Sequence, residues 1–167
     1  ACSTAFANCD DMVAFGKPVV DTREQVTYLC RKMYVLEHSP SRKTAYWSAE
    51  KLVRKQQGKV SERLNAFRYD PKLRRGERSE LGDYIGSGFD KGHLAPVGDM
   101  HHNPKAMLES FYLSNMVPQL PANNRRGWRD LEYKVRGFAL SRGTIYVISG
   151  PIYQGETKTI GKNKVAV

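Results

Sequence analysis

The stretch Gly86-Ser87-Gly88-Phe89-Asp90-Lys91-Gly92-His93-Leu94-Ala95-Pro96 places one histidine between glycines and a proline, in a chain that is otherwise strongly basic. A histidine held this way offers neutral imidazole near pH 7, which suits a general base. The same pattern also describes a structural histidine in a glycine-rich turn, so the rest of the chain must supply its partners.

The chain has 167 residues, enough for one domain with a real core. It carries 27 Lys and Arg against 17 Asp and Glu, a formal net charge of +10. A surplus of this size favours a polyanionic partner such as nucleic acid, with solubility alone as the plainer reading. No apolar run is long enough to span a bilayer, so no membrane partner is expected. The spacing of Cys2, Cys9 and Cys30 contains no CxxC pair and fits no zinc site. Cys2 and Cys9 could close a small loop in an oxidising compartment, leaving Cys30 odd and buried. Three reduced thiols in a cytosolic protein is the alternative. The start at Ala1 is that expected of a mature secreted or periplasmic protein, and a trimmed chain would begin the same way.

Residues 1–25 read as an irregular N-terminal arm with a short helical turn near Asp10 to Phe15. Val26 to Cys30, Met33 to Glu37 and Thr44 to Ser48 are β-rich runs, predicted to form an antiparallel meander. Residues 54–90 are polar and basic, and read as one long loop. Asn103 caps a helix from Pro104 to Glu109. Phe111 to Val117 reads as a strand, after which Pro118 to Pro121 forces a loop. A helix follows from about Asn124 to Arg142, with Trp128, Leu131, Val135 and Phe138 as a core-facing stripe and Gly143 as its stop. Thr144 to Ile148 reads as a buried strand, and a further strand begins near Val165.

On that helix, at roughly 100° per residue, Asn124, Glu132 and Arg136 fall near 0°, 80° and 120°, beside the apolar stripe. An N-cap and an i,i+4 ion pair would be the ordinary explanation. Joined to the His93 loop, the arrangement becomes strand, strand and helix, with a neutral amide oxygen available to a hard cation. Mg²⁺ suits such a site, because it keeps several waters and takes its anionic ligand from a phosphate.

Asp90 to Pro96, Ser114 to Gln119, Asn124, Trp128 and Leu131-Glu132 together resemble the DNA/RNA non-specific endonuclease family of the ββα-metal superfamily, which includes endonuclease G-like enzymes. The likeness extends to Trp47, Phe67 to Pro71, Asp83-Tyr84, Gly86-Ser87-Gly88 and Ser149 to Tyr153, and covers roughly residues 26–167. It implies an α+β fold with a central antiparallel sheet, flanking helices and a ββα-metal motif. It implies a Mg²⁺-dependent endonuclease cutting DNA and RNA to 5′-phosphate products, with one ion and Mn²⁺ as a substitute.

By the same resemblance, His93 matches the general base and Asn124 the direct metal ligand. Glu132 matches the residue fixing the metal's waters, and Arg136 an arginine steadying the phosphate. Asn115 matches an amide supporting the histidine loop, and Arg63 a second phosphate-binding arginine. Lys91 stands where the family usually has arginine; it keeps the charge and loses the bidentate fork. Family domains also continue with further strands, so the resemblance leaves room for a partner chain completing the sheet, a homodimer or an inhibitor protein. Secreted or periplasmic placement is expected, with an organelle as the alternative. Two other readings compete: a nucleic-acid-binding module on the same fold with little activity, and a metal-binding structural protein using His93, His101 and His102.

Overall fold

Strands β1 (Thr27–Cys30), β2 (Tyr34–Ser39) and β3 (Thr44–Val53) form the antiparallel meander expected from their β-branched and aromatic runs. They belong to a computed structural model that describes residues 9–56 and 65–167. β3 continues to Val53 instead of ending at Ser48, because Ser48, Ala49, Glu50 and Leu52 are all buried. With both faces covered, no polar alternation marks the strand's end in the sequence.

β4 (Asp90–His93) and β5 (Met116–Gln119) make a separate two-stranded antiparallel ribbon, with His93 opposite Met116 and Lys91 opposite Pro118. Here the expectation of a strand over 111–117 and a loop at Pro118 is corrected. Leu113–Asn115 is a 3₁₀ turn, and the strand begins at Met116 and runs through Pro118. A two-stranded ribbon leaves each strand one unpaired edge, so a missing N–H is tolerated.

β6 (Thr144–Ser149) pairs with β3 and completes the main sheet in the order β1-β2-β3-β6. It is an edge strand among the described residues, with Ile148 55% exposed, and not the buried strand its apolar run suggests. β7 (Thr159–Ile160) and β8 (Val165–Ala166) form a short second ribbon.

The polar segment before β4 is not simply a solvated loop. A 3₁₀ turn spans Arg54–Gln56, Leu73 is buried, and α1 (Leu81–Tyr84) opens on a capping box in which the Glu80 N–H donates to Asp83 at 2.7 Å. Asp83 in turn accepts from the Asn163 side chain at 2.9 Å, which ties the β7–β8 ribbon to α1. After β4 come α2 (Val97–Met100) and α3 (Pro104–Ser110). The α3 cap is the predicted one: the Ala106 N–H donates to the Asn103 side chain at 3.0 Å.

Asn123–Trp128 forms a π-helical turn, and α4 (Arg129–Arg142) follows directly and stops at Gly143. The core-facing stripe is corrected. Leu131 and Phe138 are about half exposed, Trp128 and Val135 half-buried, and Ala139 is the buried residue of α4. The main core lies elsewhere, between the meander, α2 and α3, around Tyr34, Leu36, Met100 and Phe111.

The cysteine expectation changes as well. Cys9 bonds to Cys30 with a Cα–Cα separation of 5.9 Å, which fastens the 3₁₀ turn Cys9–Val13 to β1. Met12 and Val13 then pack on Val35, Trp47 and Ala49. Cys2 lies outside the described residues.

Candidate active site

The β4–β5 ribbon presents His93 at its end. The residue is 9% exposed, and its ring lies 5.7 Å from Phe67 and 5.3 Å from Phe111, centroid to centroid. Its carbonyl accepts from the Trp128 indole N–H at 3.2 Å, a bond that joins the ribbon to the helix. Gly92 is required beside it, since a Cβ there would run into the Gln119 side chain across the ribbon.

Asn115 is fully buried and stands behind the histidine. Its Oδ1 accepts from the Ala95 N–H at 3.0 Å, and its Nδ2 donates to the carbonyls of Ala95 at 2.9 Å and Ser110 at 3.0 Å. This amide therefore staples the chain two residues beyond His93 to α3. It fixes the loop from below and does not line the cleft.

A cleft of about 450 Å³ opens over His93, lined on the ribbon side by Lys91 and Asp90 and on the helix side by Asn124, Arg125, Arg129 and Glu132. The π turn matters here. Its wider i→i+5 winding takes Asn124 off the 100° register assumed from sequence, whereas Glu132 and Arg136 stay one α-turn apart in α4. Asn124 is then oriented by a residue whose role the sequence did not disclose. Its Nδ2 donates to Asp90 at 3.0 Å, leaving Oδ1 as the amide's remaining ligating atom. Asp90 is gripped at both oxygens by Arg125, at 2.7 and 2.8 Å. Those hydrogen bonds hold the Asp90 carboxyl below the usual carboxylate range against its partial burial, and the Asn124 donor adds to the effect. Only the proximity of Asp90 to His93 in sequence could have hinted at this.

Lys91 places its ammonium 5.0 Å from the Phe67 ring and 5.5 Å from the Tyr84 ring, so its charge is held at the cleft by aromatic faces. Arg136 is not among the lining residues. It forms an ion pair with buried Asp99 at 2.9 Å and lies over the Tyr133 ring at 4.7 Å. Arg63 lies outside the described residues.

Among the described residues, no group of three or more His, Cys, Asp or Glu could hold a metal, so His93, His101 and His102 do not form the alternative structural site. A single amide oxygen beside a carboxylate, in an open cleft, does fit a hard cation that keeps most of its waters.

Comparison with known proteins bears on the family and the fold. The family described as DNA/RNA non-specific endonuclease matches residues 13–167. Human mitochondrial endonuclease G is 38% identical over 136 residues, covering 81% of this chain and 46% of the human protein. Nuclease C1 of Cunninghamella echinulata var. echinulata is 35% identical over 95% of this chain and 63% of its own length. The chain thus spans about half the length of the curated relatives it matches. A crystal structure of an EndoG/EndoGI complex, described as showing the mechanism of EndoG inhibition, superposes with a TM-score of 0.86 at 30% identity, over 95% of this chain and 68% of that one.

Proposed function

Because the chain belongs to the DNA/RNA non-specific endonuclease family, we propose that it is a metal-dependent endonuclease hydrolysing DNA and RNA without sequence preference, with His93 as general base. The observation that carries this reading is that His93, Asn124, Glu132 and Lys91, drawn from a ribbon and a helix, face one cleft. Neutral His93 takes a proton from the attacking water, and the two flanking rings restrict its imidazole to one setting. Asn124 Oδ1 would hold Mg²⁺, or Mn²⁺ in its place, with Glu132 hydrogen-bonding the ion's waters from two turns along the helix. When bound, such an ion supplies a Lewis acid that offsets charge on the phosphate and on the departing 3′ oxygen, giving 5′-phosphate products. Lys91, Arg125 and Arg129 draw the phosphates in by charge, which carries no base information.

The experiment is plasmid and RNA cleavage with Mg²⁺, with and without chelator. Cutting that stops on chelation and returns with Mg²⁺ is expected. Binding of DNA with no cutting under any divalent cation would support instead the binding module on the same fold, for which the replacement of arginine by Lys91 is the argument.

Asp90→Asn should separate metal placement from bulk binding. The change discards the Arg125 ion pair and lets the Asn124 amide turn, so metal affinity should fall by about 10- to 100-fold, as for other residues that orient a ligand. Mg²⁺ titration of the cleavage rate checks it. An unchanged Mg²⁺ midpoint would remove Asn124 from the metal's coordination.

The EndoG/EndoGI complex supports an inhibitor protein as a partner. A homodimer, or a chain that pairs along the open edge of β6, remains compatible with the fold. The Cys9–Cys30 disulfide supports an oxidising compartment, either secreted or periplasmic, and the mitochondrial relatives support the organellar alternative. No helix among the described residues is long and apolar enough to cross a membrane.

A further inference from the structure

Glu50 sits on β3 and is 2% exposed, in the sheet behind the cleft and not in its wall. Its carboxyl lies within hydrogen-bonding reach of the Asp99 carboxyl on α2, also 2% exposed. Asp99 then accepts from the Arg136 guanidinium at 2.9 Å. Two carboxyls meeting at 2% exposure, against a pocket of about 380 Å³ that both of them line, cannot both be charged at modest cost, so they share a proton. Burial pushes Glu50 well above the usual carboxylate range, and Glu132 and Asp99 push in the same direction. Asp99 is raised by burial too, with Arg136 pulling it back from the other side of the pair.

Arg136 is constrained from a second side. A Cβ placed at Gly98 would lie 2.8 Å from Arg136 Nη1, so the guanidinium occupies the space a side chain at 98 would take. Gly98 follows Val97, which lines the cleft, and Arg136 stands one turn beyond Glu132, which also lines it.

We infer that Glu50 is a positioning residue: its carboxyl, set against that of Asp99, fixes the carboxylate that holds Arg136 beside Gly98, in the layer directly behind the cleft wall formed by Val97 and Glu132. The inference rests on the endonuclease reading for its chemistry. A buried acid with this task explains why a carboxyl is kept in the middle of an apolar strand at all. A leucine would pack there without desolvating a polar group, but would take away the carboxyl that meets Asp99 from the side opposite Arg136.

Steady-state cleavage of a defined oligonucleotide tests this. Glu50→Ala should lower kcat on the order of 10- to 100-fold, the scale for a group misplaced by about an ångström, with KM for nucleic acid nearly unchanged. Glu50→Gln keeps a donor to Asp99 and should recover most of that loss. Gly98→Ala should lower kcat about tenfold with little change in thermal midpoint, because only the flexible end of Arg136 has to move. In an Arg136→Ala background, Glu50→Ala should add no further loss. Parental kcat in folded Glu50→Ala would overturn the inference, as would an equal loss in both backgrounds. If Glu50→Ala does not fold, parental kcat in Gly98→Ala does the same. Thermal unfolding of the same pair of single variants and their double variant needs no activity. Strictly additive losses there overturn the coupling even if the parent fails to cut, an outcome that would by itself refute only the endonuclease reading.

Discussion

Replacing His93 with alanine is expected to slow phosphodiester cleavage by about 10²- to 10⁴-fold, the usual worth of a positioned general base. That corresponds to roughly 3–5.5 kcal/mol of barrier. The size follows from the setting of the ring. Phe67 and Phe111 flank the imidazole, the Trp128 indole holds the backbone carbonyl, and the Asn115 staple fixes the next residues. A water could enter the space left by the ring, but the other polar groups of the lining are cations (Lys91, Arg125, Arg129), an amide (Asn124) and two carboxylates, of which Asp90 is committed to Arg125 and Asn124 and Glu132 stands on the helix side with the proposed metal's waters as its task. Because the phosphate-attracting cations remain, affinity for DNA should change little, and the loss should lie in kcat. Single-turnover cleavage and a gel-shift titration, run on the same preparation, read the two separately. A variant that cuts within a few-fold of the parent would take the base assignment away from His93.

Much of this architecture is written locally. The meander follows from three β-rich runs, and α3 from an asparagine cap followed by proline. The resemblance to the family's ordered motifs picks out His93, Asn124 and Glu132, and the ribbon and helix bring those three to one cleft. What the sequence concealed depends on contacts between distant segments. Asp90 is one charged residue among many until Asn124 and Arg125 close on it from 34 and 35 residues away. Glu50 lies beyond the strand end read at Ser48, yet β3 runs on to Val53 and is covered on both faces there. Leu131 and Phe138 carry a helical period that normally marks a core, but both are about half exposed, and Leu131 lines an open pocket with Val147 and Ile148 of the edge strand, so periodicity recorded amphipathicity without what covers it. Pairing of Cys9 with Cys30 was equally out of reach, since spacing alone does not choose between partners.

Asp70→Ala should destabilise the fold by about 3–5 kcal/mol, the expected loss when one member of a buried ion pair is removed and the other stays. Asp70 is fully buried and forms an ion pair with Arg31, itself 4% exposed. The same carboxylate accepts from the Ser114 hydroxyl at 2.6 Å and from the Lys72 N–H at 3.0 Å. Alanine would leave the guanidinium charge in the interior with little beyond the face of Tyr112, 4.8 Å away. Against a domain stability of roughly 5–15 kcal/mol, that is a large fraction. The effect should also reach the cleft. Ser114 precedes Asn115, whose side chain holds the residues after His93, so loosening the Asp70–Ser114 contact frees the staple behind the His93 loop. Urea denaturation gives the stability change directly, and cleavage activity should decline at temperatures below the global midpoint. The decisive comparison is the double variant Arg31→Met, Asp70→Leu. Removing both charges discards the pair without stranding either member, so it should recover most of the lost stability. If Asp70→Ala cost less than about 1 kcal/mol, in the range of an exposed pair, or if the double variant were no better than the single, the Arg31–Asp70 pair would not be what holds the loop at 70 to the hairpin and to the turn carrying Asn115.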